Sequence, residues 1–501
     1  MRRAAAVAVA LALAASGLVA DDGGQWPTFH YDAARRGHPP VRFKTCAFDE
    51  AWRFDLGGHT WRYEKGTSVW SASPAIAQVG GRTLLFIGAY DHNLYALDAA
   101  TGEEVWRLTT GGRLNAPPAV ARVGERTLVF IGSGDRTFYA ADAATGEKLW
   151  SHETLPWSYT TGVSAPTAPV VVDIGGRTLV AVGFWNTDRR ALRTIQRSDV
   201  FAFDAATGEV VWRRKLADTP ITSPAMMPVD GRPLLFIGAE DGRLMALRAT
   251  DGALQWTFTS DHAITAAPMA AALKGQPAVF VGNRWGMLNC VSAKTGALLW
   301  SSKTGHEIKS TAAIAPVEGR MKLYVGSMDR YLHCIDASTS RSLWRFQTGK
   351  FVVSSPVVCE VAGKPAVIFS SLDNRLYMRD ALSGQKIWQF ETGDMLWPYE
   401  TRGSSLWSSP AVAEVDGEPQ IFFGSYDGNL YCFKAVPRCF AEGQDLGPRP
   451  GATPAREEGS RSRPLVFLPP ILGLGMIVAG FAVMLTSRGR SSDAGAGDDR
   501  C

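Results

Sequence analysis

The residues of this chain whose types and spacing could do chemistry are aromatic and arginine side chains gathered in a few segments. Two segments are near copies: Trp61-Arg-Tyr63-Glu64 running on to Trp70, and Trp397-Pro-Tyr399-Glu400 running on to Trp407. Trp157-Ser-Tyr159 adds a third aromatic pair, and a loop insertion of about 11 residues within Phe184 to Asp199 holds Arg189, Arg190, Arg193 and Arg197. Rigid amphipathic rings contribute contact area at small entropy cost, and arginine forks take carboxylates. Together they read as a rim for a protein, peptide or glycan. Catalytic chemistry is harder to assemble. The 8 histidines are dispersed, with no HxH or HxxxH spacing, which speaks against a transition-metal site. No G-x-S-x-G turn or phosphate-binding glycine loop occurs, and no nucleophile stands beside a base. No catalytic or metal residues are expected.

What must position these segments is a repeat. Leu234 to Trp256 reads as three strands separated by turns at Asp241-Gly242 and Asp251-Gly252, where Asp and Gly adopt turn conformations at low cost. Trp212, Trp256, Trp300, Trp344 and Trp388 stand 44 residues apart, as do Trp106 and Trp150, and Trp52 stands 54 before Trp106. A proline follows 12 residues after most of them, at Pro118, Pro224, Pro268 and Pro356. A period of ~40–50 residues made of short strands is one blade of a β-propeller. Seven strand sets end at tryptophans from Trp106 to Trp388, and three more strands follow, ending with Asn429-Leu-Tyr-Cys-Phe-Lys-Ala. The outer strand absent there is supplied by Glu50-Ala-Trp-Arg-Phe-Asp-Leu near the N-terminus. The expected fold is therefore all-β: an eight-bladed propeller of four-stranded antiparallel blades over 21–436. Its seam, shared by both ends of the chain, leaves no open sheet edge. In such a ring the second-to-third-strand turns and the blade-to-blade crossovers emerge on one face. That face carries the long segments above and the acids Asp91, Asp135, Asp241, Asp329, Asp373 and Asp427, which read as caps of their own turns.

Net charge is +4 over 501 residues, so no nucleic-acid partner is implied. Residues 1–20 carry two arginines, an apolar run and small residues near Gly17 to Ala20; they read as a secretory signal peptide, with cleavage after Ala20 or Gly17. Residues 437–464 read as a flexible linker rich in Pro, Gly and charge. Leu465 to Leu485 is uncharged over 21 residues, which reads as a transmembrane helix over 465–486 with a short cytoplasmic tail, 487–501. The expectation is a single-pass, extracytoplasmic protein, periplasmic or at the cell surface. Cys290, Cys334 and Cys432 hold a place that alanine fills in other repeats, ten residues before the tryptophan, and read as buried small residues. Cys46 precedes the closing strand and Cys439 follows the last one, so a disulfide between them could lock the seam.

The unit Ala96-Leu-Asp98-Ala-Ala-Thr101-Gly102-Glu-Glu-Val-Trp106 resembles the tryptophan-docking repeat of the PQQ-like (pyrroloquinoline-quinone-like) β-propeller superfamily, and it recurs as Ala140 to Trp150 and Ala202 to Trp212. The stretch Trp26-Pro-Thr-Phe-His-Tyr-Asp32 with Gly37 also resembles the opening of that superfamily. The resemblance implies that Trp52, Trp106, Trp150, Trp212, Trp256, Trp300, Trp344 and Trp388 each stack on the Thr-Gly peptide of a neighbouring blade, a contact that Ser340 puts in question once. It reaches quinoprotein dehydrogenases, scaffolds of outer-membrane protein assembly of the BamB type, and sensory ectodomains alike, and fold alone does not choose among them. The dehydrogenases hold PQQ on calcium, many beside a disulfide of adjacent cysteines; this chain has no adjacent cysteines, though its arginines could meet a quinone's carboxylates. The expectation is a membrane-anchored, non-catalytic binding scaffold without a cofactor. A PQQ-dependent oxidoreductase and a glycan or peptide sensor are the alternatives.

Overall fold

The computed structural model describes residues 30–32, 35–56, 73–154, 163–188, 195–392, 408–425 and 428–437. They form eight antiparallel sheets arranged as an eight-bladed propeller. Blade 1 is typical: Ala75–Val79, Arg82–Gly88, Asn93–Asp98 and Glu104–Thr109 follow one another from the inner to the outer edge. The last sheet closes as the sequence requires. The strand Ala47–Asp55 (β2, after the short β1, Arg42–Phe43) lies against Asn429–Val436, with Trp52 opposite Cys432 and Arg53 opposite Tyr431. Among the described residues no helix is long and apolar enough to cross a membrane; segment 465–486 lies outside them, as do 1–20 and Cys439.

In blades 1 to 6 the residue ten positions before the tryptophan faces it directly across the strand pair: Ala96 faces Trp106, Cys290 faces Trp300 and Cys334 faces Trp344, while Cys432 faces Trp52 at the seam and the larger Met378 faces Trp388. A small, fully buried side chain there leaves room for the indole, which accounts for the alternation of alanine and cysteine. Each ring then reaches the next blade. Six indole Nε1 groups donate to an alanine carbonyl there, from Trp52 to Ala99 at 3.1 Å through Trp212 to Ala249 at 2.8 Å and Trp300 to Ala337 at 3.0 Å. The glycine of the Thr-Gly turn lies under the ring. A Cβ on Gly102, Gly146 or Gly208 would stand 2.6–2.7 Å from Trp52, Trp106 or Trp150.

Three interfaces depart from this rule. Ser340 takes the glycine's place with φ 62°, and the Trp300 hydrogen bond survives, so the substitution strains the turn without undoing the docking. Trp344 packs on Gly384, but its Nε1 is buried without a partner because the Tyr324 hydroxyl occupies the Ala381 carbonyl at 2.7 Å. Trp388 docks on no Thr-Gly turn, contrary to the sequence expectation. Blade 8 continues as an unbroken strand to Val436, and Trp388 instead packs against Phe48 and Phe433 at 5.4 and 5.3 Å.

Hydroxyl groups tie the inner edges together. The backbone N–H groups of Thr311, Ser355 and Ser409 donate to Ser355, Ser409 and Ser73 Oγ at 3.0, 2.9 and 2.8 Å, linking blades 6, 7, 8 and 1 around the axis. The insertion in blade 3 is not a loop as expected. Arg177–Asp188 and Ile195–Asp204 extend as one long hairpin, paired from Leu179–Asp204 out to Asp188–Ile195, and Val163–Pro166 joins as an extra strand.

Two glycines with the same backbone conformation separate docking from turn strain. Gly146 (φ +75°) lies under Trp106, whereas a Cβ on Gly231 (φ +76°) meets nothing within 4 Å. Gly231→Ala is expected to lower unfolding free energy by ~1 kcal/mol, the left-handed penalty alone. Gly146→Ala should cost ~2 kcal/mol more through the clash. Equal losses in denaturant titrations would show that the docking contact carries no stability.

Candidate functional site

The rim residues singled out from sequence, Trp61, Tyr63, Glu64, Trp70, Trp157, Tyr159, Arg189, Arg190, Trp397, Tyr399, Glu400 and Trp407, all lie outside the described residues, as does Arg193. Arg197 is described and is not a bare cation. Its Nε meets Asp199 at 2.8 Å, and Arg213 meets the same fully buried carboxylate at 2.8 Å. The described part of the crossover face shows how its shorter crossovers are held. Asp135, Asp241 and Asp329 each accept the backbone N–H two residues on, at 2.8, 3.0 and 2.9 Å, the turn-capping role read from sequence. Three of the acids also reach sideways. Asp135, Asp329 and Asp373 take the N–H of Gly111, Gly305 and Gly349 in the adjoining crossovers at 2.7 Å each. A residue four positions on holds the same carboxylate: Tyr139 at 2.7 Å, His333 at 2.8 Å and Tyr377 at 2.6 Å. Burial pushes the Asp329 carboxyl up, but His333 and the two N–H donors outweigh it and its pKa is lowered. These acids are spent on fixing the crossovers, so they do not form an anionic site.

The residues that sequence reasoning left without a role lie on the axis. After the positive-φ residues His30 (61°) and Tyr31 (82°), the chain turns through Asp32 to Arg35 (60°) and Gly37 (60°). Positive φ outside glycine costs ~1–2 kcal/mol per residue, so this turn persists because its surroundings over-determine it. Arg35 is wholly buried; its Nε donates to the Pro224 carbonyl at 2.7 Å and its Nη2 to Ala168 at 3.3 Å, on blades 4 and 3. On the opposite side His30 Nε2 meets the Pro356 carbonyl of blade 7 at 2.6 Å. The backbone N–H groups of Ile314 and Val358, on blades 6 and 7, donate to Arg36 and Gly37. One short turn thus bonds blades that stand diametrically apart, so it crosses the axis as a strap. β1 then runs parallel to the inner strand of blade 7, Val357–Val361. Gly37 is required here, since a Cβ would stand 2.3 Å from His30 Nε2.

Charge in the strap is compensated locally. Arg36 pairs with Asp32 at 2.6 Å, while burial pushes the Arg35 guanidinium down to about 9 and Asp32 opposes that shift. Burial also pushes the His30 imidazole down to about 4; the Pro356 and Arg35 carbonyls at its two nitrogens oppose that shift, because the neutral ring donates to only one of them. Among the described residues no three His, Cys, Asp or Glu side chains converge. The polar group that meets the axis is a guanidinium satisfied by backbone carbonyls. Calcium needs several oxygen donors, so a calcium-held quinone does not fit this part of the axis. The legible clue was the run His30 to Gly37: two adjacent arginines and a glycine in a segment otherwise suited to neither helix nor strand.

Eight blades, joined at seven interfaces by docked tryptophans and closed by an N-terminal strand, define a β-propeller of the PQQ-like superfamily. A family model described as "Outer membrane protein assembly factor BamB" matches residues 49–194, 196–281 and 284–435, and the chain belongs to that family. Among solved structures it is similar to a europium-containing methanol dehydrogenase (15% identity, TM-score 0.62, covering 82% of this chain and 98% of that one). It is also similar to a quinohemoprotein alcohol dehydrogenase from Comamonas testosteroni (15% identity, TM-score 0.61, 85% and 83%). At such identity the likeness is one of fold. A beta-alanine-activating enzyme of Danio rerio is 41% identical over 56 residues, 11% of this chain, and the chain spans 5% of that relative's length.

Because the His30 pKa is about 4 in the folded protein and 6.5 unfolded, the unfolded chain binds more protons below pH 6.5. The ring's contribution is full above pH 6.5 and is lost as pH falls toward 4, by about 3 kcal/mol in all. Unfolding titrations across this window should show a loss that His30→Gln reduces by about that amount. An identical pH dependence in the variant would refute the buried neutral ring.

Proposed function

We propose that this chain is a membrane-tethered, extracytoplasmic propeller that acts as a non-catalytic scaffold, binding a protein partner on its crossover face. The observation that carries the reading is the axial strap. Where the inner strands begin, the ring's centre is occupied by the chain's own His30 to Gly37, bonded to blades 3, 4, 6 and 7. A ring filled in this way offers its outer loops to partners, and loops on a rigid scaffold are where binding residues concentrate. Membership of a family described as an assembly factor supports the same choice. Trp61, Tyr63, Trp70, Trp397, Tyr399 and Trp407 are the anchors assigned to the partner, with Glu64, Glu400, Arg189 and Arg190 fixing its orientation. Residues 465–486 are assigned as the anchor and 1–20 as the export signal.

The test uses the full chain in detergent. Cross-linked and affinity-purified, it should retain one dominant partner, and replacing Trp61 and Trp397 together by Ala should weaken capture about tenfold or more. Incubation with pyrroloquinoline quinone and calcium should yield no dye-linked alcohol oxidation. Quinone-dependent dye reduction would replace the scaffold reading with the oxidoreductase one.

The seam is assigned a covalent lock between Cys46 and Cys439. Ala47 pairs with Val436, which brings Cys46 beside the strand end three residues before Cys439. Peptide mapping without reductant should recover the linked pair. Its reduction should lower unfolding free energy by ~2–4 kcal/mol, since it closes nearly the whole ring. Recovery of both thiols from protein isolated under oxidising conditions would remove the lock.

A further inference from the structure

Among the described residues seven large apolar side chains are more than a third exposed, and six of them lie toward one end of the ring. They are Val210 (38%), Leu254 (43%), Leu298 and Leu299 (51% each), Leu343 (37%) and Leu382 (40%). Val210, Leu254 and Leu298 open the outermost strands of blades 3, 4 and 5. Leu299 and Leu343 immediately precede the docking tryptophans of blades 5 and 6, and Leu382 sits in the turn before the outer strand of blade 7. Because the blades repeat, equivalent positions stand at similar height. The six side chains therefore line an arc along the rim of the face opposite the crossovers. An apolar arc bordering a flat face suits a flat partner.

The charges on that face are unevenly distributed. In blades 1 to 3 exposed Glu103, Glu125, Glu147, Asp173 and Glu209 stand among exposed Arg82, Arg126, Lys148 and Arg177, so the two signs nearly balance. In blades 5 to 7 its turns carry exposed Lys274, Lys294, Arg320, Arg341 and Lys364, with Glu318 among them. Lys294 pairs with Asp230 at 2.6 Å, but both are more than half exposed and the pair is weak in water. The chain also leaves the ring on this face. Asn429–Val436 runs antiparallel to β2 and ends level with Ala47, in the blade next to blade 7.

We infer that this arc docks on an anionic phospholipid surface, its leucines entering the headgroup layer while the lysines and arginines meet phosphates. The inference rests on the reading of the chain as membrane-tethered. The departure of the chain from the basic, apolar side favours a bilayer over an acidic protein of similar shape. With the arc from blade 3 to blade 7 turned toward the lipid, the crossover face on the other side of the ring stays open to partners.

The full chain would be reconstituted into vesicles of phosphatidylglycerol or of phosphatidylcholine and followed by flotation and by amide exchange. Flotation reads the anchor; exchange at 251–256 and 295–300 reads the docking. The expected result is flotation with both lipids, and exchange slowed about tenfold in these segments with phosphatidylglycerol alone. The slowing should vanish on raising salt and in a Leu298→Glu, Leu299→Glu variant whose far-ultraviolet spectrum and flotation are unchanged. Flotation with no difference in exchange between the lipids would overturn the docking and leave the anchor standing. Absence of flotation would remove both. Protection that appears without lipid when a purified acidic protein partner is added, and not with phosphatidylglycerol, would reassign the arc to that partner.

Discussion

The contact on which the ring depends is an indole lying on a peptide that has no Cβ. A flat ring gains dispersion over its whole face only when nothing projects from the surface beneath it, and glycine in a left-handed turn provides such a surface. The indole N–H then finds a carbonyl on the neighbouring blade, so apolar stacking and polar satisfaction are met by one side chain. Trp106 on Gly146, with its hydrogen bond to Ala143, shows both halves. The regular spacing accords with this contact, since most blades present a tryptophan to one neighbour and a glycine turn to the other.

Departures from the rule sit where the ring is least symmetric. Trp388 faces blade 8, whose third strand runs on to Val436, two residues farther in the repeat than Asn93–Asp98 does in blade 1, and whose sequence has no Thr-Gly after it. Phe48, Phe390 and Phe433 take over the packing there. β1 adds to the inner strand of blade 7 at the same seam, so the interface without a glycine platform is reinforced from the axis. The strap extends that reinforcement across the ring. Its buried Arg35 donates to carbonyl oxygens on blades 3 and 4, and Asp32 within the strap favours its charge. Carbonyl dipoles and that carboxylate together stabilise the cation in place.

The blade count and the closure were legible because they rest on spacing. Tryptophans 44 residues apart, and a strand set short by one beside an orphan strand at the other end, leave little freedom. Ser340 illustrates the limit: sequence marked the substitution, but whether the turn held depended on a left-handed serine that only coordinates reveal. The blade 3 insertion was misjudged as a loop because its Arg and Asp content conceals alternation. Pairing of Phe184 with Asp199 and Asn186 with Arg197 makes it a hairpin. The run His30 to Gly37 stood out in the sequence, but its course across the axis was illegible for a different reason. Its partners are backbone carbonyls on distant blades, and a carbonyl leaves no mark on the side-chain pattern. Of the candidate site the sequence supplied residue types, while the described structure supplies the acids and glycines that fix other crossovers of the same face.

The pairing of β2 with Asn429–Val436 has a consequence for how the polypeptide is made. A ribosome delivers β1 and β2 first and their partners long afterwards, so the sealing strand waits as an unmatched ribbon while seven wedges assemble behind it. The strap shares that delay, because the blades it bonds are themselves late products. Synthesis interrupted anywhere short of the final wedge leaves an open spiral with two sticky borders, prone to join with another chain in the same condition. Completion is thus a single terminal event, and protein quality control has one signature to look for: an N-terminal ribbon still without its mate.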